Sequence, residues 1–250
     1  MLKNSINVLS SLTASLAEAG RGVRIGATGP RPAELLVLYD RENCPYCRRV
    51  RQTLTELDLD VFIKPFPQGA ERFRTELLKL GGRLQVPFLV DPNTGSALYE
   101  SEDIVAYLHQ HYGGAVASTR RFFDRAGSFG ASLIRLRHGS RRRAAANAPP
   151  EPLELYSFET SPFARIVRER LCELEIPYIV RNCGRTTGSD WIPPPLRARM
   201  AADYAPTQRN RRQLVEKAGR VAVPYLLDPN TGVELFESAA ITAYLERTYG

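Results

Sequence analysis

Two cysteines with two residues between them, in Cys44-Pro45-Tyr46-Cys47, form the group in this chain whose types and spacing define a chemistry most directly. Pro45 suits the first position of a helix, where no N–H is needed, and would place the two thiols one turn apart. Unpaired backbone N–H groups and the helix dipole favour an anion there, so Cys44 is expected to ionise readily and act as the nucleophile. Cys47 is then placed to attack a mixed disulfide at Cys44 and release the bound thiol. Arg41, three residues upstream, adds positive charge at the mouth. Cys172 and Cys183 form no second C-x-x-C, which argues against a zinc site, and Cys172 falls on an apolar helix face that belongs in a core. His109, His111 and His138 make no recognisable metal or catalytic set.

The elements that position these residues follow from periodicity. An apolar run at 35–39 predicts a buried strand, and Val50, Leu54 and Leu57 continue the cysteine segment as one helical face. A second strand is expected at 59–63, and a second helix at 70–80 is stopped by Gly81-Gly82. Asp91-Pro92-Asn93-Thr94-Gly95 reads as the turn of a hairpin with strands 88–90 and 97–99, and a final helix begins near Ser101.

The chain then repeats itself. Cys44-Pro45-Tyr46-Cys47 recurs 117 residues later as Ser161-Pro162-Phe163-Ala164, with Val50, Arg51 and Leu54 returning as Val167, Arg168 and Leu171. Val86-Pro87 and the turn after it recur as Val223-Pro224 and its turn at an offset of 137, as does Glu100-Ser101 in Glu237-Ser238. The second copy therefore carries 20 extra residues, between Cys183 and Lys217, where Trp191-Ile192-Pro193-Pro194-Pro195 predicts an extended, polyproline-like loop. Gly22 and Arg24 match Gly139 and Arg141, so each copy is expected to open with a short helix and a basic turn. The organisation expected is an N-terminal helix and turn at 1–34, a first domain at 35–113, a basic segment at 114–150 and a second domain at 151–250.

Cys44-Pro45-Tyr46-Cys47, Val86-Pro87, and Glu100-Ser101 followed by Ile104 and Tyr107-Leu108 resemble glutaredoxins and the N-terminal domain of glutathione S-transferases. The resemblance covers residues 35–112 and 153–249 and implies an α/β fold: two thioredoxin-like βαβαββα domains in tandem, each with a mixed four-stranded sheet. It implies glutathione as co-substrate, with a cis proline presenting the Val86 backbone, Glu100 and Ser101 meeting the γ-glutamyl end, and Arg41 and Tyr46 beside the thiol. Arg41 stands where glutaredoxins usually carry lysine. The glutaredoxin glycine pair and following aspartate are replaced by the transferase-type Glu-Ser, and no all-helical transferase domain follows either copy within this sequence, which favours thiol-disulfide exchange over conjugation. Copy two lacks both sulfurs and is expected to be redox-dead, while Ser161, Val223, Pro224, Glu237 and Ser238 retain a glutathione-binding frame. An iron–sulfur cluster shared by two Cys44 thiolates and glutathione, as in some glutaredoxins, ranks behind thiol exchange. The expected protein partner is a disulfide or glutathionylated substrate. Two other functions remain open: a non-catalytic glutathione-binding scaffold, and a transferase whose second pocket comes from the insertion around Trp191.

Composition narrows the field. The net charge of +7 resides entirely in residues 118–150, where eight arginines face one acid, Asp124. The rest of the chain is neutral, which argues against a general nucleic-acid binder and leaves that segment as a solvated linker or as a basic, partly apolar helix able to face an acidic partner. No apolar run approaches the roughly 18 residues of a membrane span, and the serine-diluted N-terminus makes a poor signal peptide. Sparse cysteines fit a reducing, cytoplasmic compartment.

Overall fold

The computed structural model describes residues 10, 11, 13, 22–113, 138–143, 147–200 and 203–250. The first copy runs β1 (Leu36–Asp40), α1 (Pro45–Glu56), β2 (Val61–Pro65), α2 (Arg74–Gly81), β3 (Phe88–Asp91), β4 (Ser96–Leu98) and α3 (Ser101–Tyr112). The second runs β5 (Leu153–Ser157), α4 (Pro162–Glu173), β6 (Tyr178–Asn182), a 3-10 turn (Gly188–Trp191), α5 (Pro194–Met200), α6 (Arg209–Ala218), β7 (Tyr225–Asp228), β8 (Val233–Phe236) and α7 (Ser238–Tyr249). Each copy is the expected thioredoxin-like unit, with one parallel strand pair and two antiparallel ones.

The two four-stranded sheets are joined. Strands β2 and β6 pair antiparallel, Val61 with Val180, Phe62 with Ile179 and Ile63 with Tyr178, giving one eight-stranded sheet in the order β4-β3-β1-β2-β6-β5-β7-β8. Phe62 and Ile179 are equivalent positions of the repeat, so a pseudo-twofold axis passes between them. Pairing covers two strand edges that would otherwise present unpaired N–H and C=O groups. On one face α1 and α4 flank this axis, with α3 packed on α1 and α7 on α4. A single apolar cluster runs beneath them from Leu36 and Leu54 in one copy to Leu155, Leu171 and Leu245 in the other. The opposite face carries two separate clusters, one around Tyr39, Phe73 and Phe88 and one around Tyr156, Leu214 and Tyr225.

Local chemistry accounts for most boundaries. Helix α1 and helix α4 both begin with proline at a first-turn position, and α2 ends on Gly82 in the left-handed region. Helix α2 starts at Arg74 rather than near residue 70, because Ala70 to Phe73 form turns that bury Ala70 and Phe73 against β1 and β3. The hairpin turns are fixed by buried Asp91, which accepts from the Tyr107 and Tyr112 hydroxyls at 2.7 and 2.5 Å and from the Asn93 amide at 2.8 Å; Asp228 does the same with Tyr244, Tyr249 and Asn230. The insertion corrects its sequence expectation: it folds as the 3-10 turn and helix α5, not as an extended polyproline segment. Pro194 and Pro195 occupy the first turn of α5, where a missing N–H costs nothing.

Two straps cross between copies. Residues 22–26 precede copy one and bridge it to copy two: Gly26 donates to the Glu56 carbonyl, Thr160 donates to the Gly22 carbonyl, and Arg24 bridges Arg185. Residues 139–143 precede copy two and bridge it to copy one: Arg143 donates to the Glu173 carbonyl, and Arg141 bridges Gln68. Gly22 and Gly139 have φ of 65° and 66°, and a Cβ on either would come within 3.0 Å of the Cβ of Glu159 or Glu42, so the crossing requires glycine. The basic turns expected from the repeat are these straps. Of the basic segment, Arg142 pairs with Glu71 and Glu175, and Arg143 with Glu173 and Glu246 of this same chain, so these two arginines meet their acids internally. The helix expected between the copies falls on residues outside the described ones, as does most of the leading helix. Among the described residues, no helix is long and apolar enough to cross a membrane.

Candidate functional site

The site grows from the C-terminal end of β1. After Asp40 the chain turns through Arg41, Glu42 and Asn43, the Cys44 amide donates to the Arg41 carbonyl at 3.0 Å, and Cys44 becomes the N-cap of α1. Cys44 is partly exposed, Cys47 is fully buried one turn on, and Tyr46 stands 50% exposed at the rim. Cys44 titrates low, at about 6. The Cys47 thiol as hydrogen-bond donor is the largest cause, burial works against it, and the backbone N–H groups of Cys47 and Tyr46 add to it. Cys47 moves the other way, well above an ordinary thiol, first through burial and then through its hydrogen bond to, and the charge of, Cys44. Environments that push two thiols apart in this way leave one able to ionise near neutral pH and keep the other protonated.

The remaining cysteines are held as thiols. Burial pushes Cys183 up to about 12 and Cys172 well above the usual range, and the Cys172 thiol donates to the Gly139 carbonyl at 3.3 Å. All four cysteines are unpaired. Among the described residues no group of three or more His, Cys, Asp and Glu is arranged to hold a metal ion.

Sheet register brings the other expected residues to the same end. Tyr39 pairs with Phe88, which sets Val86-Pro87 opposite the Asp40-Arg41 exit of β1, and this peptide bond is cis. Arg41 Nε donates to the Phe66 carbonyl at 3.2 Å, which ties the Cys44 loop to the exit of β2. Glu100 has φ of 62° as it enters α3, and its carboxylate accepts from Gln85 Nε2 at 2.9 Å with Arg83 at 3.6 Å; Ser101 behind it is buried. Gln85 and Arg83 therefore hold the Glu100 carboxylate although no motif marks them.

Copy two reproduces the frame. Val223-Pro224 is cis, Glu237 enters α7 with φ of 66°, and Ser238 is buried. At the nucleophile position Ser161 is only 2% exposed, and its hydroxyl accepts from the Ala164 amide at 3.3 Å. Ser11 lies against the adjacent start of α4, where it donates to the Pro162 carbonyl at 2.6 Å and its own carbonyl accepts from Arg165 at 3.2 Å. Phe158, at the Arg41 position, packs against the Arg185 guanidinium, whose other ring contact is Trp191 of the insertion.

The least expected part of the site lies behind it. Arg51 donates to Asp40 at 2.5 Å and to Glu159 of copy two at 2.9 and 3.1 Å, while Arg168 of copy two donates to Glu42 at 3.0 to 3.2 Å. All five side chains are buried. Burial raises the Asp40 carboxyl in spite of Arg51, whereas Arg168 and Arg51 together overcome the burial of Glu159 and hold it low. The sequence signal for this cluster is the recurrence of Glu42, Arg48 and Arg51 as Glu159, Arg165 and Arg168, which a charged helix face conceals.

The model of the glutathione S-transferase N-terminal domain family matches residues 38–115 and again 155–250. Two solved structures of Bombyx mori glutathione transferase BmGSTD1, one in complex with GTT, are 30% identical to this chain, covering 34% of it and 39% of theirs, with TM-scores of 0.32 and 0.31. The chain thus corresponds to about two fifths of that protein's length. No curated protein matches the sequence.

Proposed function

The chain belongs to the glutathione S-transferase N-terminal domain family, and from that premise we propose that it is a glutathione-dependent thiol–disulfide oxidoreductase working through Cys44. The observation that carries the proposal is the divergence of the two thiols: a partly exposed Cys44 titrating at about 6 beside a buried Cys47 held protonated. A conjugating transferase needs an ionised glutathione thiol, not a protein thiolate of its own.

In the first step the Cys44 thiolate attacks the glutathionyl sulfur of a mixed disulfide. The Cys44–glutathione disulfide forms, and the substrate thiol leaves as thiolate and takes a proton from water. A second glutathione thiolate then attacks the glutathionyl sulfur, forming glutathione disulfide and restoring Cys44. With a protein disulfide, Cys47 attacks Cys44 instead, and two glutathiones later reduce the internal disulfide. Loss of the Cys44 charge in the mixed disulfide removes one of the influences that keep Cys47 protonated, so the second thiol is released for attack once the first has reacted.

Glutathione is assigned to copy one, with its cysteinyl part along Val86-Pro87, its γ-glutamyl end at Glu100 and Ser101, and Arg41 and Tyr46 at the rim. In copy two, Val223, Pro224, Glu237 and Ser238 keep the frame, but the capped and buried Ser161 offers neither sulfur chemistry nor an open mouth. The units are assigned as domains at 35–113 and 151–250, and a glutathione-fed reductant is expected to work in the cytoplasm. The test is glutathione-dependent reduction of a small glutathione mixed disulfide by wild type and Cys44→Ser. Loss of the rate in the variant supports the assignment, and equal rates refute it.

A further inference from the structure

The loop carrying Cys44, residues 41–43, is held from the other copy. Arg168 on α4 grips the Glu42 carboxylate through Nε at 3.1 and 3.2 Å and Nη2 at 3.0 Å. Glu159 takes Arg51 in a two-point pair at 2.9 and 3.1 Å. The Arg51 so held donates to the Glu42 carbonyl at 2.9 Å and lies 3.5 Å from the Arg41 carbonyl, the same oxygen that accepts from the Cys44 amide. One loop of three residues thus has a carboxylate and two carbonyls fixed by side chains that copy two provides or orients.

The arrangement is reciprocal, since Arg168 also donates to the Phe158 and Glu159 carbonyls at 3.3 and 2.8 Å in the loop before Ser161. Buried ion pairs are a poor way to glue two surfaces, because apolar side chains of the same volume are often as stabilising. What guanidinium forks provide and apolar contacts do not is direction: several donors in a rigid plane fix particular oxygens in place. In copy two that direction serves no sulfur, whereas in copy one it ends at Cys44.

We propose that copy two, which lacks the C-x-x-C pair, is a positioning unit for the Cys44 site, in which Arg168 and Glu159 hold the 41–43 loop so that the Cys44 sulfur sits against the first N–H groups of α1. The role of the site itself rests on the thiol-exchange function proposed above; the clamp rests on the two ion pairs. Removing the Arg168 guanidinium frees the 41–43 loop and loosens the hold of the first N–H groups of α1 on the sulfur, which disfavours the Cys44 thiolate.

The test is the pH dependence of iodoacetamide alkylation at Cys44 in the full, reduced chain, for wild type, Arg168→Met, Arg168→Lys and Asp228→Asn. A rise of about one unit from an inflection near 6 lowers the thiolate fraction at pH 6 about fivefold. Arg168→Met is expected to show at least that loss. Arg168→Lys, which keeps the charge but not the fork, is expected to fall between it and wild type. Asp228→Asn weakens the distant β7–β8 hairpin and is expected to lower Tm while leaving the inflection in place. An unmoved inflection in folded Arg168→Met overturns the proposal, as does an equal shift in Asp228→Asn. Should Arg168→Met not fold, Arg168→Lys decides by the same criterion. A wild-type inflection at the ordinary thiol value of about 8.5 would remove the thiol-exchange function instead, and the clamp would still be read from the difference between variant and wild type.

Discussion

The ionisation of Cys44 fixes what the site can do, and it is exposed to a quantitative test. At pH 7 a thiol titrating at about 6 is about 90% thiolate, against about 3% for an ordinary thiol, a gain of about thirtyfold. Nucleophilicity falls with basicity, and a Brønsted slope of about 0.45 over about 2.5 units cancels more than tenfold of that gain. The net rate advantage at pH 7 is then only about twofold, so a fast reaction at neutral pH proves little. The position of the inflection is the discriminating observable. Alkylation of the reduced chain, followed by mass spectrometry at Cys44 from about pH 4 to pH 10, is expected to inflect near 6, with Cys172 and Cys183 unlabelled until the chain is denatured. The same lowering links to stability. A group ionised more easily when folded stabilises most above its unfolded pKa, and that contribution is lost as pH falls toward the folded value. Reduced wild type is therefore expected to gain stability over Cys44→Ser between pH 6 and about 8.5, with a ceiling of about 3 kcal/mol because the sulfur is partly open to solvent. An inflection above about 8, or a stability difference flat across that window, refutes the reasoning.

Other consequences are equally checkable. Cys47→Ser keeps a donor beside Cys44 and is expected to retain turnover of glutathione mixed disulfides within a few fold while losing reduction of protein disulfides; Cys47→Ala removes the donor, and its Cys44 inflection is expected to move upward in the same alkylation assay. Asp91→Ala strands the Tyr112 hydroxyl and leaves that of Tyr107 with Thr94 alone, and is expected to cost about 3 kcal/mol in denaturant unfolding. Burial disfavours the Asp91 carboxylate but the tyrosine and asparagine donors outweigh it and hold its pKa low, so wild type is expected to lose this contribution only below about pH 4, as the pH falls through the folded pKa, and the variant to lack that acid limb. Restoring sulfur to copy two with Ser161→Cys and Ala164→Cys is expected to give a thiol alkylated at least tenfold more slowly than Cys44, because position 161 is 2% exposed; comparable rates would show that copy two is open.

The units themselves were legible because their signals are local. Pro45 and Pro162 mark helix starts, Asp91 to Gly95 and Asp228 to Gly232 mark tight turns, and Val50, Leu54 and Leu57 fall on one face. The union of the sheets was not legible, since Val61-Phe62-Ile63 reads as a buried strand whether its neighbour is solvent-side helix or the edge of β6. Nor was the clamp. Glu42, Arg48, Arg51 and their equivalents look in sequence like a solvated helix start, and only the pairing of β2 with β6 turns them toward each other and out of water. The triple proline misled because the extended backbone belongs to Ile192 before it, while Pro194 and Pro195 fall in a first turn, where proline is compatible with helix. The positions that resemblance alone supplied, Val86, Pro87, Glu100 and Ser101, share one end of the sheet with Cys44, but Gln85 and Arg83, which reach Glu100, carry no motif.

The most direct test of the account is to trap the first intermediate. Cys47→Ser, reduced and then exposed to glutathione disulfide, should carry a single glutathione, located by mass spectrometry on Cys44, and the adduct should be absent when Cys44 is also serine. No adduct at Cys44, or glutathione found instead on Cys172 or Cys183, would contradict it.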